Sequence, residues 1–285
     1  MTLLRLADGR DVQLWEGGDP AGTPVAFLHG CPDTRHAARP GHDAARRAGV
    51  RLVAVNRPGY GRSTATATSH AAVADDVAEV ADLLGIGRFA VLGMSVGGPH
   101  ALACAARHPD RVTRVAVVSS PALDPTPPED AGVGTVADFV ERLRPEFAAY
   151  VARLAPDDPD DRALAGRFLA QLPEEDRVLL GDDVAAVAAV AASVREALAQ
   201  HEGYLWDAAT LLRPWDFDLA DVACPVTLHY GGLDTNHPPR NGAWLAERLA
   251  DATLTVDEGD GHLGALLAHW DDLLGELAQD RVEHD

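Results

Sequence analysis

Several residue types are rare or missing in this chain of 285 residues. Lysine is absent, so all 24 basic residues are arginine, and 44 acidic residues give a formal net charge of -20. Because binding to a phosphate backbone normally needs a basic face, this charge argues against a nucleic-acid partner. No function follows from the preference for arginine itself.

Cysteines and long apolar runs are also scarce. The three cysteines, Cys31, Cys104 and Cys224, are an odd number at wide spacing, which fits neither a disulfide framework nor a metal site. No apolar stretch reaches the roughly 18 residues that span a bilayer, and no basic segment precedes an apolar one at the start. We therefore expect a cytoplasmic protein with reduced thiols and no membrane contact. The sequence predicts no oligomeric state.

Short aliphatic runs alternate with helical segments along much of the chain. After a hairpin at residues 3–6 and 12–15, the pattern predicts strands at 25–28, 52–55, 89–92, 112–118, 226–230 and 253–256, and helices at 37–48, 72–84, 98–108 and from Leu263. Aliphatic runs of this length, bounded by turn residues, are typical of strands buried on both faces of a sheet. The alternation predicts an α/β fold with a mostly parallel sheet.

This alternation is interrupted between residues 122 and 214. Apolar residues recur there at helical spacing in two sets, Val136, Phe139, Val140 and Leu143, then Phe147, Tyr150, Val151 and Leu154. Such spacing predicts amphipathic helices, which Pro145 should separate or kink. Further helices are predicted at 162–172 and 182–199, with a polar link at Asp157-Asp158-Pro159. We therefore predict a helical cap, 122–214, inserted into a core domain formed by 1–121 and 215–285.

A GxSxG pentapeptide, 93–97, stands between the predicted strand 89–92 and the predicted helix 98–108. A serine at such a strand-to-helix elbow, here Ser95, is a candidate nucleophile. The turn is so tight that side chains at the glycine positions would collide with backbone, and the serine itself is expected in a strained conformation. With 26 glycines in the chain, chance alone gives roughly 0.05 occurrences of the pattern, so its context must support the assignment.

A serine nucleophile needs a base to take its proton and a third group to orient that base. Asp234 follows the predicted strand 226–230, and His262 follows the predicted strand 253–256. Carboxyl ends of parallel strands meet at one edge of a sheet, so we predict a catalytic triad of Ser95, Asp234 and His262. Taken singly, Asp234 could be a capping residue and His262 a surface histidine.

The negative oxygen of a tetrahedral intermediate needs hydrogen-bond donors, and we expect the backbone amides of Cys31 and Val96 to supply them. Val96 follows the nucleophile at a helix N-terminus, where amides are unpaired. Cys31 follows the predicted strand 25–28, and Pro32 restricts its conformation. Cys31 is also a rival nucleophile, whereas His29 is expected to be structural. Met94, next to the nucleophile, is the candidate substrate-binding residue.

Together these residues resemble the α/β-hydrolase family over essentially the whole chain. The resemblance rests on His29-Gly30-Cys31-Pro32, the loop 57–63 (RPGYGRS), the elbow, Asp234 and His262. It is nearest the branch that holds epoxide hydrolases, haloalkane dehalogenases, cofactor-free haloperoxidases and prolyl iminopeptidases. Dehalogenases and epoxide hydrolases carry aspartate at the elbow, so Ser95 argues against both. Val96 departs from the tryptophan usual in prolyl iminopeptidases, and Asn56 replaces a common aspartate, a change that we assign to structure.

The resemblance and the triad imply a carboxylesterase-like serine hydrolase with the α/β-hydrolase fold, acting on a small or medium, largely apolar ester or lactone through an acyl-enzyme. The same triad would serve an aminopeptidase or amide hydrolase, a thioesterase, a carbon-carbon bond hydrolase or a cofactor-free oxygenase. A slow-turnover ligand-sensing protein is the alternative from another class. The predicted partner is a small acyl substrate. Neither a metal nor an organic cofactor is predicted, since the sequence shows no ligand cluster of suitable spacing and no glycine-rich phosphate loop.

Overall fold

A sheet of eight strands lies at the centre of the computed structural model, which describes residues 2–122, 134–156, 160–181 and 184–279. In chain order the strands are β1 (Thr2–Arg5), β2 (Asp11–Gly18), β3 (Thr23–Leu28), β4 (Val50–Val55), β5 (Phe89–Met94), β6 (Val112–Val118), β7 (Val226–Gly231) and β8 (Ala252–Asp257). Their order across the sheet is β1-β2-β4-β3-β5-β6-β7-β8. Pairing is antiparallel between β1, β2 and β4 and parallel elsewhere. The predicted α/β fold class is confirmed.

Helices cover both faces of this sheet. In chain order they are α1 (His42–Arg47), α2 (His70–Leu83), α3 (Gly97–Arg107), α4 (Val136–Leu154), α5 (Asp161–Leu169), α6 (Glu174–Leu180), α7 (Val184–Ala199), α8 (His201–Leu211), α9 (Pro239–Ala246), α10 (Gly264–Leu267) and α11 (Trp270–Leu277). Side chains along a strand alternate between faces. Accordingly Ala26 and Leu28 join the apolar cluster under α2 and α3, whereas Val25 and Phe27 join the cluster under α1 and α11.

Two helix predictions for the core are wrong in detail. The predicted helix 37–48 is α-helical only over α1, because Arg35–Gly41 form a 3₁₀ helix that contains Pro40. Proline lacks the N–H that an α-helix would need at that position. The helix predicted from Leu263 is divided into α10 and α11 by His269, whose ring nitrogen lies 2.6 Å from Asp260 Oδ2.

Helices α4 to α8 stand between β6 and β7, and we call them the helical insertion. They bury an apolar cluster of their own that includes Phe139, Phe147 and Leu205. Because α4 continues through Pro145, this proline does not separate two helices, and the alternative that it kinks the helix stays a prediction. Helices α6 and α8 were not predicted. The polar link Asp157-Asp158-Pro159, the start of the predicted helix 182–199 and residues 123–133 of the predicted cap lie outside the described residues.

None of the helices in the described ranges combines the length and the apolar character needed to cross a bilayer.

Candidate active site

Ser95 lies at the turn between β5 and α3, where the backbone is strained. Its φ is +54°, a left-handed value that is unfavourable for a residue with a side chain. Its N–H donates to the Val118 carbonyl at 2.8 Å, which holds the turn against β6. A Cβ on Gly97 would lie 2.1 Å from the Leu28 carbonyl oxygen, so only glycine lets α3 begin this close to the end of β3. A side chain at Gly97 would therefore collide with backbone, as predicted from the motif.

The loop after β3 lies directly against the candidate nucleophile. A Cβ on Gly30 would be 3.2 Å from Ser95 Cβ and 3.8 Å from Ser95 Oγ. Among the described residues, the amides of Cys31 and Val96 donate no hydrogen bond to another protein group. The N-terminus of α3 adds the partial positive charge of its dipole at Val96. Two amide donors are therefore available close to the Ser95 hydroxyl.

The loops after β7 and β8 bring the predicted acid and base together. His262 Nδ1 lies 2.7 Å from Asp234 Oδ2, and both residues are buried. The other oxygen, Asp234 Oδ1, accepts hydrogen bonds from the amides of Asn236 and His237 at 2.8 and 2.9 Å. A His262 Nδ1–H that donates to Asp234 leaves the lone pair on Nε2, as a general base requires.

The electrostatics around this pair favour an ionised aspartate. Burial alone would raise the pKa of Asp234, but the hydrogen bond and the charge of His262 lower that pKa below its ordinary value. The ring centroid of His237 is 5.4 Å from that of His262. Burial, reinforced by the neighbouring His262, lowers the pKa of His237 to about 4, so His237 is neutral at pH 7.

Two other predictions concern the loop after β3. Burial raises the pKa of the Cys31 thiol, which disfavours the thiolate that a cysteine nucleophile would need. The amide of Arg57 donates to His29 Nε2 at 3.3 Å, and His29 Nδ1 lies 2.7 Å from the Gly30 carbonyl oxygen. Burial also lowers the pKa of His29 well below its ordinary value. His29 is thus neutral with both ring nitrogens occupied, in keeping with a structural role.

An apolar cavity of about 90 Å³ lies between the core and the helical insertion. Met94 and Leu263, the chain neighbours of Ser95 and His262, line it from the core. Phe168 and Val190 are among the residues that line it from the insertion, and Asp33 is one of the few polar groups in its wall. The position of Met94 supports its predicted contact with substrate, which stays a prediction.

Two buried aspartates of the helical insertion touch these loops and were missed from the sequence. Asp207 contacts the Arg57 guanidinium, and Asp176 Oδ1 accepts hydrogen bonds from the amides of Leu263 and Gly264 at 2.9 and 2.8 Å. Neither belongs to a motif, and the helices that carry them were not predicted. The available signal was an acidic residue inside an apolar segment, as in Leu205-Trp206-Asp207-Ala208.

One group of possible metal ligands is present among the described residues. Ligand atoms of His229, Asp257 and His269 lie within 4.8 Å of one another. Each imidazole already has a carboxylate close by, with His229 Nε2 at 2.6 Å from Asp257 Oδ2 and His269 Nε2 at 2.6 Å from Asp260 Oδ2. The expectation that no metal or cofactor is needed stays a prediction.

A family model for the alpha/beta hydrolase fold matches residues 23–268. The chain belongs to this family. It is 31% identical over 217 residues to the pimeloyl-[acyl-carrier protein] methyl ester esterase of Neisseria meningitidis serogroup B strain H44/76, covering 73% of this chain and 74% of the relative. The match to the serogroup A protein of the same name, 32% identical over 179 residues, spans 50% of that relative's length. The chain is also 36% identical over 115 residues to the proline iminopeptidase of Neisseria meningitidis serogroup A. This match covers 38% of this chain and 36% of the relative.

Solved structures share the fold over nearly the whole chain. A thermophilic esterase from Thermogutta terrifontis superposes with a TM-score of 0.73 at 21% identity, covering 98% of this chain and 100% of the other. The enol-lactonase from Burkholderia xenovorans LB400 superposes with a TM-score of 0.69 at 20% identity, covering 96% of this chain and 97% of the other. These comparisons confirm the predicted family and fold, and the relatives' names agree with the predicted carboxylesterase-like enzyme.

Proposed function

We propose that this protein is a serine hydrolase of carboxylic esters. The observation that carries the proposal is the strained Ser95, held beside two amides, of Cys31 and Val96, that have no other hydrogen-bond acceptor among the described residues. Such an arrangement suits an oxygen nucleophile and the oxyanion that its attack produces. The esterase names of the relatives support the ester as the bond cleaved.

In the proposed mechanism, Ser95 Oγ attacks the ester carbonyl carbon while His262 Nε2 accepts the hydroxyl proton. The resulting oxyanion accepts hydrogen bonds from the two amides. Collapse of the intermediate breaks the bond to the alcohol, which leaves with the proton from His262. Water then attacks the acyl-enzyme, with His262 again as base, and releases the acid. Asp234 orients the imidazole and stabilises its charged form.

The apolar cavity suggests the acyl group that such an enzyme would accept. Its wall is formed mostly by aliphatic side chains, and it begins at the immediate neighbours of Ser95 and His262. We propose that a small or medium apolar acyl chain occupies it and that the helical insertion acts as the cap over this site. Burial of each methylene of such a chain contributes about 0.8 kcal/mol.

The nucleophile is tested with Ser95→Ala, assayed on p-nitrophenyl acetate and butyrate. Without the hydroxyl no acyl-enzyme forms, so we expect kcat to fall by at least about 10³-fold, together with loss of labelling by a fluorophosphonate. The matched control is Ser119→Ala. Ser119 is also buried, follows the neighbouring strand β6 and has a φ of +44°, and its replacement should leave turnover near the parent value. Turnover and labelling retained in a folded Ser95→Ala protein would refute the proposal.

The partial similarity to a proline iminopeptidase gives a second candidate, an aminopeptidase. The Asp33 carboxyl in the cavity wall offers a group that could contact a substrate ammonium. Parallel assays with proline p-nitroanilide and p-nitrophenyl butyrate separate the two functions. We expect the ester to be cleaved faster, and faster cleavage of the anilide would favour the peptidase.

A further inference from the structure

Arg57 and Asp207 form a buried ion pair between the core and the helical insertion. Arg57 follows β4, Asp207 lies in α8, and each side chain is only 1% exposed. Arg57 Nη2 donates to Asp207 Oδ2 at 2.5 Å, and Arg57 Nε lies 3.2 Å from both carboxylate oxygens. The Tyr60 hydroxyl donates to Asp207 Oδ2 at 2.6 Å. The carboxylate is therefore held at several points.

The same guanidinium also binds the loop that follows β3. Arg57 Nη2 donates to the Gly30 carbonyl at 3.0 Å, and Arg57 Nη1 donates to the His29 carbonyl. His29 Nδ1 lies 2.7 Å from the Gly30 carbonyl oxygen as well. The Gly30 carbonyl is thus fixed by two neighbours on the side of the loop that faces Arg57.

The hydrogen bond from Arg57 to the Gly30 carbonyl also sets the direction of the Cys31 amide. The Gly30–Cys31 peptide bond is trans, so the Gly30 carbonyl and the Cys31 N–H point in opposite directions. A carbonyl turned toward Arg57 turns that N–H away from Arg57. Gly30 itself lies against Ser95.

We propose that Arg57 and Asp207 are positioning residues for the oxyanion hole. Asp207 holds the guanidinium, and the guanidinium fixes the Gly30–Cys31 peptide with its N–H directed at the oxyanion of the tetrahedral intermediate. This inference rests on the proposed function. It gives the helical insertion a second part in the reaction, because a residue of the insertion determines whether one of the two donors is in place.

Stability alone does not explain an ion pair at this position. Burial would raise the pKa of Asp207, but the charge of Arg57 lowers it well below its usual range, so the pair is ionised. Buried ion pairs can often be replaced by apolar residues of similar volume without loss of stability, whereas removal of one partner is strongly destabilising. Such a double replacement therefore separates positioning from stabilisation.

The test is the double variant Arg57→Met with Asp207→Leu, compared with the parent on p-nitrophenyl acetate. We expect a folded protein that still binds one fluorophosphonate per chain, because Ser95 and His262 are untouched. A displaced oxyanion donor should lower kcat by about 10- to 100-fold with little change in KM. Affinity for a boronic acid, which mimics the tetrahedral intermediate, should fall by the same factor as kcat/KM.

Parent values of kcat and boronate affinity in the folded double variant would overturn the positioning role. If the double variant does not fold, Asp207→Asn is measured in the same way. Equal losses of kcat/KM and boronate affinity in this variant support the proposal, and parent values of both refute it. The control is Asp271→Asn, which removes the exposed pair with Arg47 and should behave as the parent. A fully active Ser95→Ala would refute the proposed function, whereas an inactive Ser95→Ala with a fully active double variant would refute positioning alone.

Discussion

Ser95 and Asp33 show how differently single residues depend on their surroundings. The strain at Ser95 follows from local sterics, because a serine between two glycines at a tight turn has few backbone choices. The motif was therefore sufficient to predict it. The ionisation of Asp33 depends on groups that are remote in sequence. Burial raises its pKa to about 6, although the Ser193 hydroxyl and the Thr34 amide donate to it.

This shift predicts that Asp33→Asn stabilises the protein above pH 6. A raised carboxyl pKa means that the folded state binds more protons than the unfolded state between about pH 4 and 6, so the parent loses stability as pH rises through that window. An asparagine at position 33 does not ionise, so the variant does not lose stability in this pH window. Its amide oxygen still accepts the hydrogen bond from the Thr34 N–H. Thermal unfolding should show no gain in Tm near pH 4 and a gain of about 2–5 °C above pH 6. A gain that is equal at both pH values would contradict the assigned pKa.

The exposed Asp75 provides the control for this measurement. The hydrogen bond from Arg107 lowers the pKa of Asp75, so its ionised form is favoured in the folded state. Asp75→Asn should therefore produce no gain in Tm above pH 6.

At the level of helices and strands, prediction succeeded where burial alone sets the pattern, as in strands that are buried on both faces. The strands β3, β5, β7 and β8 are short, and a predicted site residue follows each of them within five residues. Helix α8 has no such pattern, because buried residues such as Gly203, Leu205, Asp207 and Ala209 lie on several of its sides. Helix α4 continues through Pro145 because Val140 and Phe147, on either side of the proline, are both buried. Tertiary packing therefore overrode the local signal in both helices.

Helix α7 lines the apolar cavity, which gives a prediction for Ala189→Leu. The larger side chain would fill part of the space assigned to the acyl chain. We expect kcat/KM for p-nitrophenyl hexanoate to fall by about tenfold or more, with a smaller effect on the acetate ester. The matched control is Ala188→Leu on an exposed side of the same helix, which should leave the ratio of the two esters unchanged. If Ala189→Leu keeps the parent ratio of kcat/KM for the two esters, the acyl chain does not bind in this cavity.

At the scale of the whole molecule, three acidic residues of the helical insertion contact the core. Asp176, Glu196 and Asp207 each reach from an insertion helix to backbone or side chains of the core. Glu196 accepts hydrogen bonds from Asn56 Nδ2, at 2.7 Å, and from Arg35. Burial would raise the pKa of Glu196, but hydrogen bonds from His36, Asn56 and Arg35 lower it to about 2. These contacts give the unusual Asn56 a structural explanation.

This arrangement predicts that Asn56→Asp weakens the contact between core and insertion. Asn56 is fully buried, and an aspartate there would face the ionised Glu196 instead of donating to it. The unsatisfied acceptor should lower Tm at pH 7.5 by about 3–10 °C. The loss should shrink toward pH 5, where the new carboxyl can protonate.

Adding Glu196→Gln to Asn56→Asp restores a donor opposite the carboxylate, so it should recover most of the lost Tm. An equal loss in the single and double variants would show that repulsion between the two carboxylates is not the cause.

The sequence by itself determined the order of strands and helices in the core and the strained serine, and it predicted the pair of Asp234 and His262 that the structure brings into contact. Each follows from local sterics or from the position of a residue after a strand end. Only the tertiary structure decided which amides of the described residues lack acceptors, where the apolar cavity lies and how Asp207 and Asp176 contact the loops of the candidate site. These features depend on contacts between segments more than 80 residues apart, such as Arg57 with Asp207 and Asp176 with Gly264. A local sequence pattern does not show which distant residue will pair with a buried charge. Such a charge is tolerated only where the folded chain brings a partner to it.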